Sequence, residues 1–191
     1  MWYQITSYIK FLLKSKNQHG IHSPFVYDLI TKCFYDSKKK AAYKTLIVYR
    51  NKTIQHKKII SITDLRANYR VFKSKERKVS TLTKNTKITL KKQKLLYRII
   101  SYFKPDTILE LGTSIGLGTI AMSIANPSSK LITMERCLNT SKLAKHYFNE
   151  FGLKNIHLKN STFEDFFKIK SLTKYDIVFI NKNHNKEDII N

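Results

Sequence analysis

Two acidic residues and a set of closely spaced glycines are the residues of this chain that could do chemistry together. Glu110 closes a short apolar stretch, and glycines follow it at positions 112, 116 and 118. A glycine-rich turn between a strand and a helix lets backbone N–H groups and a helix N-terminus approach a ligand closely. The spacing differs from the G-x-G-x-x-G pattern that cradles a dinucleotide. The stretch therefore predicts a site for a nucleotide-like ligand of another kind.

The second acidic residue, Glu135, lies at the end of the next predicted strand, 23 residues after Gly112. This separation is close to the roughly 20 residues at which an acidic side chain reaches the hydroxyls of a ribose. Residues 161–163 follow a third predicted strand, where the edge and face of an adenine would lie. Ser161 and Glu164 have the spacing of a capping box before a short helix. The order of these residues at successive strand ends predicts one cleft for an adenosine-type ligand.

From residue 107 onwards, the hydrophobic pattern alternates between strands and helices. Four strands are predicted, at Thr107–Leu111, Leu131–Glu135, Asn155–Lys159 and Tyr175–Ile180. Two of the helices between them are predicted at Leu117–Ala125 and from Asn139 or Thr140 to Phe151. Strands that alternate with helices pair in parallel through right-handed crossovers. We therefore expect an α/β fold, namely a partial Rossmann-like fold with a parallel sheet of about four strands flanked by helices.

The first 104 residues predict a mainly helical region that precedes the sheet. Apolar residues recur at helical spacing from Trp2 to Leu13, Ser23-Pro24 marks a second helix start, and a further helix ends before Pro105. The first helix is suited to a membrane surface, or to packing onto the domain or onto a twin subunit. We assign residues 1–104 to a strongly basic N-terminal region and residues 105–191 to the N-terminal half of a ligand-binding domain.

The formal net charge of +23 is concentrated in the first part of the chain. Residues 1–104 hold 25 basic side chains against 4 acidic ones, whereas residues 105–191 hold 11 against 9. Such a charge attracts phosphate backbones. However, lysine outnumbers arginine 30 to 6, although arginine is the residue that binds phosphate with two parallel hydrogen bonds. The two interpretations are a selected nucleic-acid surface and compositional drift with incidental polyanion binding.

The remaining composition limits the location of the protein and the chemistry of its site. No run of about 18 apolar residues is present, which predicts no membrane span. Cys33 and Cys137 stand 104 residues apart, which is not a metal-ligand spacing. We therefore expect two reduced thiols in a cytoplasmic protein, and no metal site.

Several segments resemble one family. They are HGIHSPFVYDLI, RVFKSKERKVS, ILELGTSIGLGT, ITMERCLNTSKLAKHYFNEFGLKNI and YDIVFINKNH, and the likeness runs from His19 to the C-terminus. These segments resemble class I S-adenosylmethionine-dependent methyltransferases, in particular a small-molecule O-methyltransferase-like group of Bacteroidetes type. The resemblance implies S-adenosylmethionine as cofactor, and a small-molecule acceptor that is methylated at oxygen. By the same resemblance, the cofactor-binding residues are Glu110, Gly112, Thr113, Ser114, Gly116, Glu135, Thr162 and Phe163.

Three departures from the family pattern leave alternatives open. Asn181 stands where such enzymes carry aspartate, and its neutral amide cannot act as an anionic metal ligand or as a base. His184 is either a base or a surface residue, and no catalytic residue is assigned. Residues 65–69 lack the glycines that the family has before RVFKS.

The third departure is the position of the last residue, shortly after the fourth predicted strand. We expect the chain to be truncated there, which would leave an apolar strand edge for a second copy or another partner to cover. The alternatives to an active methyltransferase are an inactive truncated remnant of such an enzyme and an RNA-binding or RNA-modifying protein.

Overall fold

The computed structural model describes residues 2–14, 20–62, 76–169 and 174–181. The chain divides into two compact units, Met1–Lys38 and Lys39–Asn191. The predicted division at residue 104 follows the change in charge, and as a domain boundary it stays a prediction. Residues 65–69 and His184, on which two of the predictions depend, lie outside the described residues.

The first unit is helical. It contains α1 (Trp2–Lys14), α2 (Pro24–Asp28) and a π-helical turn at Leu29–Phe34. Ser23 begins α2, because its hydroxyl accepts a hydrogen bond from the backbone N–H of Val26 and Pro24 occupies the first helical turn. This confirms the predicted helix start. All residues of α1 are exposed, and none is buried.

The second unit is built on a parallel sheet. Its strands are β3 (Thr107–Leu111), β4 (Lys130–Met134), β5 (Ile156–Lys159) and β6 (Ile177–Ile180), in the spatial order β5-β4-β3-β6. The helices between them are α6 (Leu117–Ala125), α7 (Leu138–Glu150) and α8 (Phe163–Ile169). All three strand pairs are parallel. The predicted α/β fold with four parallel strands and flanking helices is confirmed.

The strand order reverses beside β3, and this reversal positions the site. From β3 the chain moves outwards to β4 and β5, and then returns to place β6 on the other side of β3. Helices α6 and α7 share one apolar cluster, whereas Phe166 of α8 belongs to a second cluster with Leu109, Leu111, Ile132 and Met134. In open α/β sheets, ligands bind in the crevice outside the carboxyl ends of the strands at such a switch point.

Additional helices support the face of the sheet that carries α6. They are α3 (Ala42–Gln55), α4 (Val79–Asn85) and α5 (Leu90–Phe103), with a small antiparallel pair formed by β1 (Ile59–Ser61) and β2 (Glu76–Lys78). Ile100 of α5 is buried against Ile108 and Met122. Burying a side chain of this size contributes about 1.5–3 kcal/mol. Helices α3 and α4 lie within the region predicted to be mainly helical, but they were not among the individual helices that the hydrophobic pattern predicted.

Asp176 attaches β6 to β3 at the start of both strands. Its Oδ2 accepts hydrogen bonds from the backbone N–H groups of Asp106 and Thr107, at 3.0 and 2.8 Å, and from the Thr107 hydroxyl at 3.0 Å. The Thr107 backbone bond is the main reason that the pKa of Asp176 lies below its usual value. In the described part of the sheet β6 is an edge strand, and Val178 is 51% exposed. A partner for this edge stays a prediction.

Two further observations concern cysteines and membranes. Cys33 and Cys137 are both buried. None of the described helices combines the length and the apolar character that a bilayer crossing requires.

Candidate functional site

The turn that follows β3 adopts a backbone shape that depends on glycine. Gly112 and Gly116 have φ values of 100° and 80°, and Ser114 between them has a φ of 51°. The backbone N–H groups of Gly112 and Thr113 both donate to the carbonyl oxygen of Met134, at 3.0 and 2.9 Å. The turn is therefore fixed to the carboxyl end of the neighbouring strand β4.

Glu135, the residue after β4, holds the same turn from the other side. One carboxylate oxygen accepts a hydrogen bond from the backbone N–H of Ser114 at 2.8 Å, and the other accepts from the backbone N–H of Cys137 at 2.9 Å. The Asn160 side chain donates to the Glu135 carbonyl oxygen at 2.7 Å. Glu135 is only half-buried, so its carboxylate is partly accessible beside the turn.

Gly116 is packed closely against two aromatic side chains. A Cβ at this position would lie 2.4 Å from Phe148 of α7 and 2.7 Å from the hydroxyl of Tyr49 in α3. The same hydroxyl donates a hydrogen bond to the carbonyl oxygen of Ile115 at 2.7 Å. Burial raises the pKa of Tyr49 well above its usual value, so this hydroxyl keeps its proton and remains a donor. The turn therefore rests on a layer of aromatic residues.

Glu110 lies in the protein interior beneath the turn. Its Oε2 accepts hydrogen bonds from the hydroxyls of Thr119 in α6 and Thr133 in β4, at 2.5 and 2.6 Å. The Thr133 hydroxyl also bonds the hydroxyl of Thr113 at 2.6 Å. All four side chains of this network are fully buried. The network connects the turn to β3, β4 and α6.

Burial determines the protonation state of Glu110. It raises the pKa of Glu110 to about 8, although the two threonine hydrogen bonds act in the opposite direction. At neutral pH the carboxyl is therefore mostly protonated. Its Oε1 has no hydrogen-bond partner among the described residues, and it lies 2.7 Å from the place of a Cβ at Gly118. The third glycine thus leaves room for the Glu110 side chain.

The N-terminus of α6 opens at the turn and carries no side-chain cap. Gly116 is the N-cap and has no side chain that could accept from the first N–H groups of the helix, and among the described residues no side-chain cap is found. Residues Leu117–Ser123 of this helix are buried. Uncapped N–H groups together with the positive end of the helix dipole favour a negatively charged ligand group.

Asn181 closes the other side of the switch point, directly after β6. Its backbone N–H donates to the Leu111 carbonyl oxygen at 2.9 Å, and its side-chain amide donates to the Gly112 carbonyl oxygen at 3.1 Å. A carboxylate cannot donate this second bond. The amide that departs from the family pattern therefore has a structural function at the turn.

The predicted adenine region lies at the start of α8. Phe163 is half-buried and packs on the cluster that contains Leu111 and Met134, at the ends of β3 and β4. The helix is capped one residue later than predicted: the Thr162 hydroxyl accepts from the Asp165 backbone N–H at 3.1 Å and donates to the Asp165 carboxylate at 2.6 Å. The predicted capping box was misplaced because α8 begins at Phe163, which makes Thr162 the N-cap.

The structure brings most of the predicted residues to one edge of the sheet. Hydrogen bonds connect the turn residues Gly112, Thr113, Ser114 and Gly116 to one another, to the end of β4 and to Glu135. Phe163 packs against the ends of the same strands. Glu110 lies in the layer below. Within the described residues, no three histidine, cysteine or acidic side chains are grouped so that they could hold a metal ion.

Sequence analysis did not identify Tyr49, Thr119 and Thr133. Tyr49 lies 66 residues before its partner Ile115, and no local pattern connects the two. Thr133 could have been found by the face of the sheet that it shares with Glu110. Thr133 pairs directly with Glu110 across the sheet, so the two side chains point to the same face.

Comparisons with known proteins bear on the fold. No protein-family model matches the chain. The SAH-bound methyltransferase PaMTH1 of Podospora anserina is similar over 85% of this chain and 59% of its own, with a TM-score of 0.55 and 14% sequence identity. The chain has the fold of class I S-adenosylmethionine-dependent methyltransferases. Since the alignment covers 59% of PaMTH1, the chain spans less than two thirds of the length of that protein.

Two further similarities are less extensive. The O-methyltransferase TomG of Streptomyces achromogenes, in complex with SAM, aligns with 81% of this chain and 59% of its own at 17% identity and a TM-score of 0.49. The tRNA (guanine-N(7)-)-methyltransferase of Mycoplasma mobile is 40% identical over 55 residues, which are 29% of this chain and 27% of that protein.

Proposed function

We propose that the chain binds S-adenosylmethionine at the turn after β3 and transfers its methyl group to a small-molecule acceptor, with oxygen as the methylated atom. The observation that carries the proposal is the hydrogen bond between Glu135 and the backbone of Ser114. This bond joins a half-buried carboxylate to the glycine-dependent turn. The turn lies beside the N-terminus of α6, at the topological switch point of the sheet. The methyltransferase fold supports the same assignment.

The residues present fit the chemical groups of this cofactor. The Glu135 carboxylate is a hydrogen-bond acceptor of the kind that suits the hydroxyls of a ribose, and the N-terminus of α6 suits a carboxylate. Phe163 and Thr162 would face the adenine, whereas Gly112, Thr113, Ser114 and Gly116 would supply the backbone that approaches the amino acid end. Glu110 acts through Thr133, which holds Thr113. When bound, the cofactor supplies an electrophilic methyl group on a sulfonium.

Within this proposal, the chain acts mainly by positioning the cofactor and the acceptor, and less by covalent chemistry. Methyl transfer depends on the alignment of the acceptor with the methyl carbon. The turn is held by β4, by Glu135, by Tyr49 and by Asn181, so it is organised before a ligand arrives. A hydroxyl acceptor would also need a base, and none is assigned.

Calorimetric titration with S-adenosylhomocysteine tests the proposal. We expect the wild type to bind, and Glu135→Ala to bind at least tenfold more weakly, because a ribose partner and a turn contact are both lost. Glu150→Ala is the matched control, since Glu150 pairs with Lys52 and not with the turn. Unfolding of each variant without ligand separates binding from stability. A folded wild type that gives no heat contradicts the proposal.

A second candidate function is cofactor binding without methyl transfer. It is favoured by Asn181, whose amide is engaged by the Gly112 carbonyl where the family carries aspartate. Labelled S-adenosylmethionine with a panel of hydroxylated acceptors distinguishes the two candidates. Methylated product from any acceptor excludes the inactive alternative.

A third candidate is an RNA acceptor, which is favoured by the positive charge of residues 1–104 and by the match to the tRNA methyltransferase of Mycoplasma mobile. A selected RNA site would discriminate between RNA sequences or structures. Incidental attraction would fall steeply with salt and ignore sequence. Binding of tRNA and of a homopolymer at two salt concentrations separates these outcomes.

A further inference from the structure

The first helix carries an apolar face that is open to solvent. Apolar residues recur at the spacing of one helical face, namely Trp2, Ile5, Ile9, Leu12 and Leu13, with Tyr8 beside them. Trp2 is 82% exposed and Ile9 is 50% exposed. A helix that forms in water without burying a side chain has little to stabilise it.

Comparison with α5 shows what α1 lacks. Helix α5 is of similar length and is also amphipathic, but its Ile100 is only 1% exposed and packs in a core cluster. Isolated helices shorter than about 12–15 residues are marginal in water, and most helical stability in proteins comes from packing of the apolar face. Helix α1 has 13 residues, so a covering surface would contribute a large part of its stability.

The charges of the chain favour one covering surface over another. Helix α1 contains Lys10 and Lys14 off its apolar face, and it contains no acidic residue. The chain as a whole carries a formal charge of +23. Two copies would repel each other, whereas an anionic bilayer would attract the same charges. Tryptophan and tyrosine, with one apolar and one polar end, suit the boundary between headgroups and acyl chains.

We propose that α1 is a membrane-surface helix, which lies in the plane of an anionic phospholipid bilayer. Its apolar face, which includes Trp2 and Ile9, lies among the acyl chains. Lys10 and Lys14 face the headgroups. The helix does not cross the bilayer, because 13 residues rise only about 20 Å and the hydrocarbon core is about 30 Å thick. This inference is independent of the proposed methyltransferase activity.

Trp2 makes the proposal directly testable, because it is the only tryptophan of the chain. The full chain is mixed with vesicles of phosphatidylcholine alone, or of phosphatidylcholine with phosphatidylglycerol. With the anionic vesicles we expect the Trp2 emission to shift to shorter wavelength and the protein to sediment with the lipid. Neutral vesicles should produce a much smaller shift.

A matched pair of variants separates the apolar face from charge. Ile9→Gln changes the apolar face and Ser7→Gln changes the opposite face, and neither alters the net charge. We expect Ile9→Gln to lower the partition coefficient about tenfold, and Ser7→Gln to change it less than twofold. Both positions are exposed, so neither variant should affect folding.

Two results would overturn the proposal. If the protein sediments with anionic vesicles while the Trp2 emission stays constant, other lysines bind the surface and α1 does not. If the Trp2 emission shifts with protein concentration in the absence of lipid, and the molecular mass determined by sedimentation is that of a dimer, a second copy covers α1 instead.

Discussion

The two carboxylates that follow neighbouring strands, Glu110 and Glu135, occupy very different environments. Glu110 is fully buried, accepts from two threonine hydroxyls and has its pKa raised to about 8 by burial. Glu135 is half-buried and accepts from two backbone N–H groups. An acidic residue in a glycine-rich motif can therefore hold the turn from inside, while Glu135, which follows the next strand, holds the same turn from a half-buried position.

Gly116 packs against Phe148 and Tyr49, and its substitution should have the largest effect. Gly116→Ala would place a Cβ 2.4 Å from Phe148 at a φ of 80°. Strain and overlap together should lower the free energy of unfolding by about 3 kcal/mol, measured by urea denaturation. Gly152→Ala is the control, because Gly152 has a φ of 65° with nothing within 4 Å of a new Cβ. Equal losses in both variants would show that backbone strain alone matters.

Glu110→Gln tests the inner carboxyl through pH. The folded-state pKa of about 8 lies above the usual value of 4.5, so the unfolded state loses its proton first as the pH rises. Wild-type stability should therefore fall between about pH 4.5 and pH 8, by at most about 1.4 kcal/mol per pH unit from this group.

The glutamine variant should lack this contribution, so its stability relative to the wild type should increase from pH 5 to pH 8. Urea denaturation at pH 5, 6.5 and 8 measures the difference between the two proteins. Glu150→Gln should show no such trend, since Glu150 is exposed. A constant difference between Glu110→Gln and the wild type would mean that Glu110 is ionised throughout.

Tyr49→Phe should have the smallest effect and refine the view of the aromatic layer. It removes the hydroxyl that donates to the buried Ile115 carbonyl and keeps the ring. We expect a loss of about 1 kcal/mol in the free energy of unfolding. If Tyr49 positions the turn, binding of S-adenosylhomocysteine should weaken several-fold as well. A loss of stability with unchanged affinity would limit Tyr49 to a packing role.

The sheet was predictable because its signals are local. Gly112 after one apolar run and Gly116 before the next indicated where β3 ends and α6 begins, and the structure has these elements at Thr107–Leu111 and Leu117–Ala125. Helix α3 was missed because tyrosines and Thr53 form much of its buried face, so its sequence shows little apolar periodicity. The site was predictable only in outline, since contacts such as Tyr49 to Ile115 join distant positions.

The placement of Glu110 shows how local reasoning about a motif is limited. Its position at the end of a strand indicated a group that meets a ligand. Alternation along β3 places it on the same face as Ile108, which is fully buried. Leu109 and Leu111 on the other face are also buried, so the apolar run around Glu110, and not the alternation, contained the signal that this carboxyl lies inside the protein.

The order of the strands also has a consequence for folding. The β3–β4 pair joins Leu109 to Ile132, whereas the β3–β6 pair joins the same residue to Val178, much further along the chain. Closing the longer loop costs more chain entropy, and contacts of high sequence separation slow folding. We expect β6 to join the sheet last, so that Asn181 fastens the Gly112 carbonyl only at the final step of assembly.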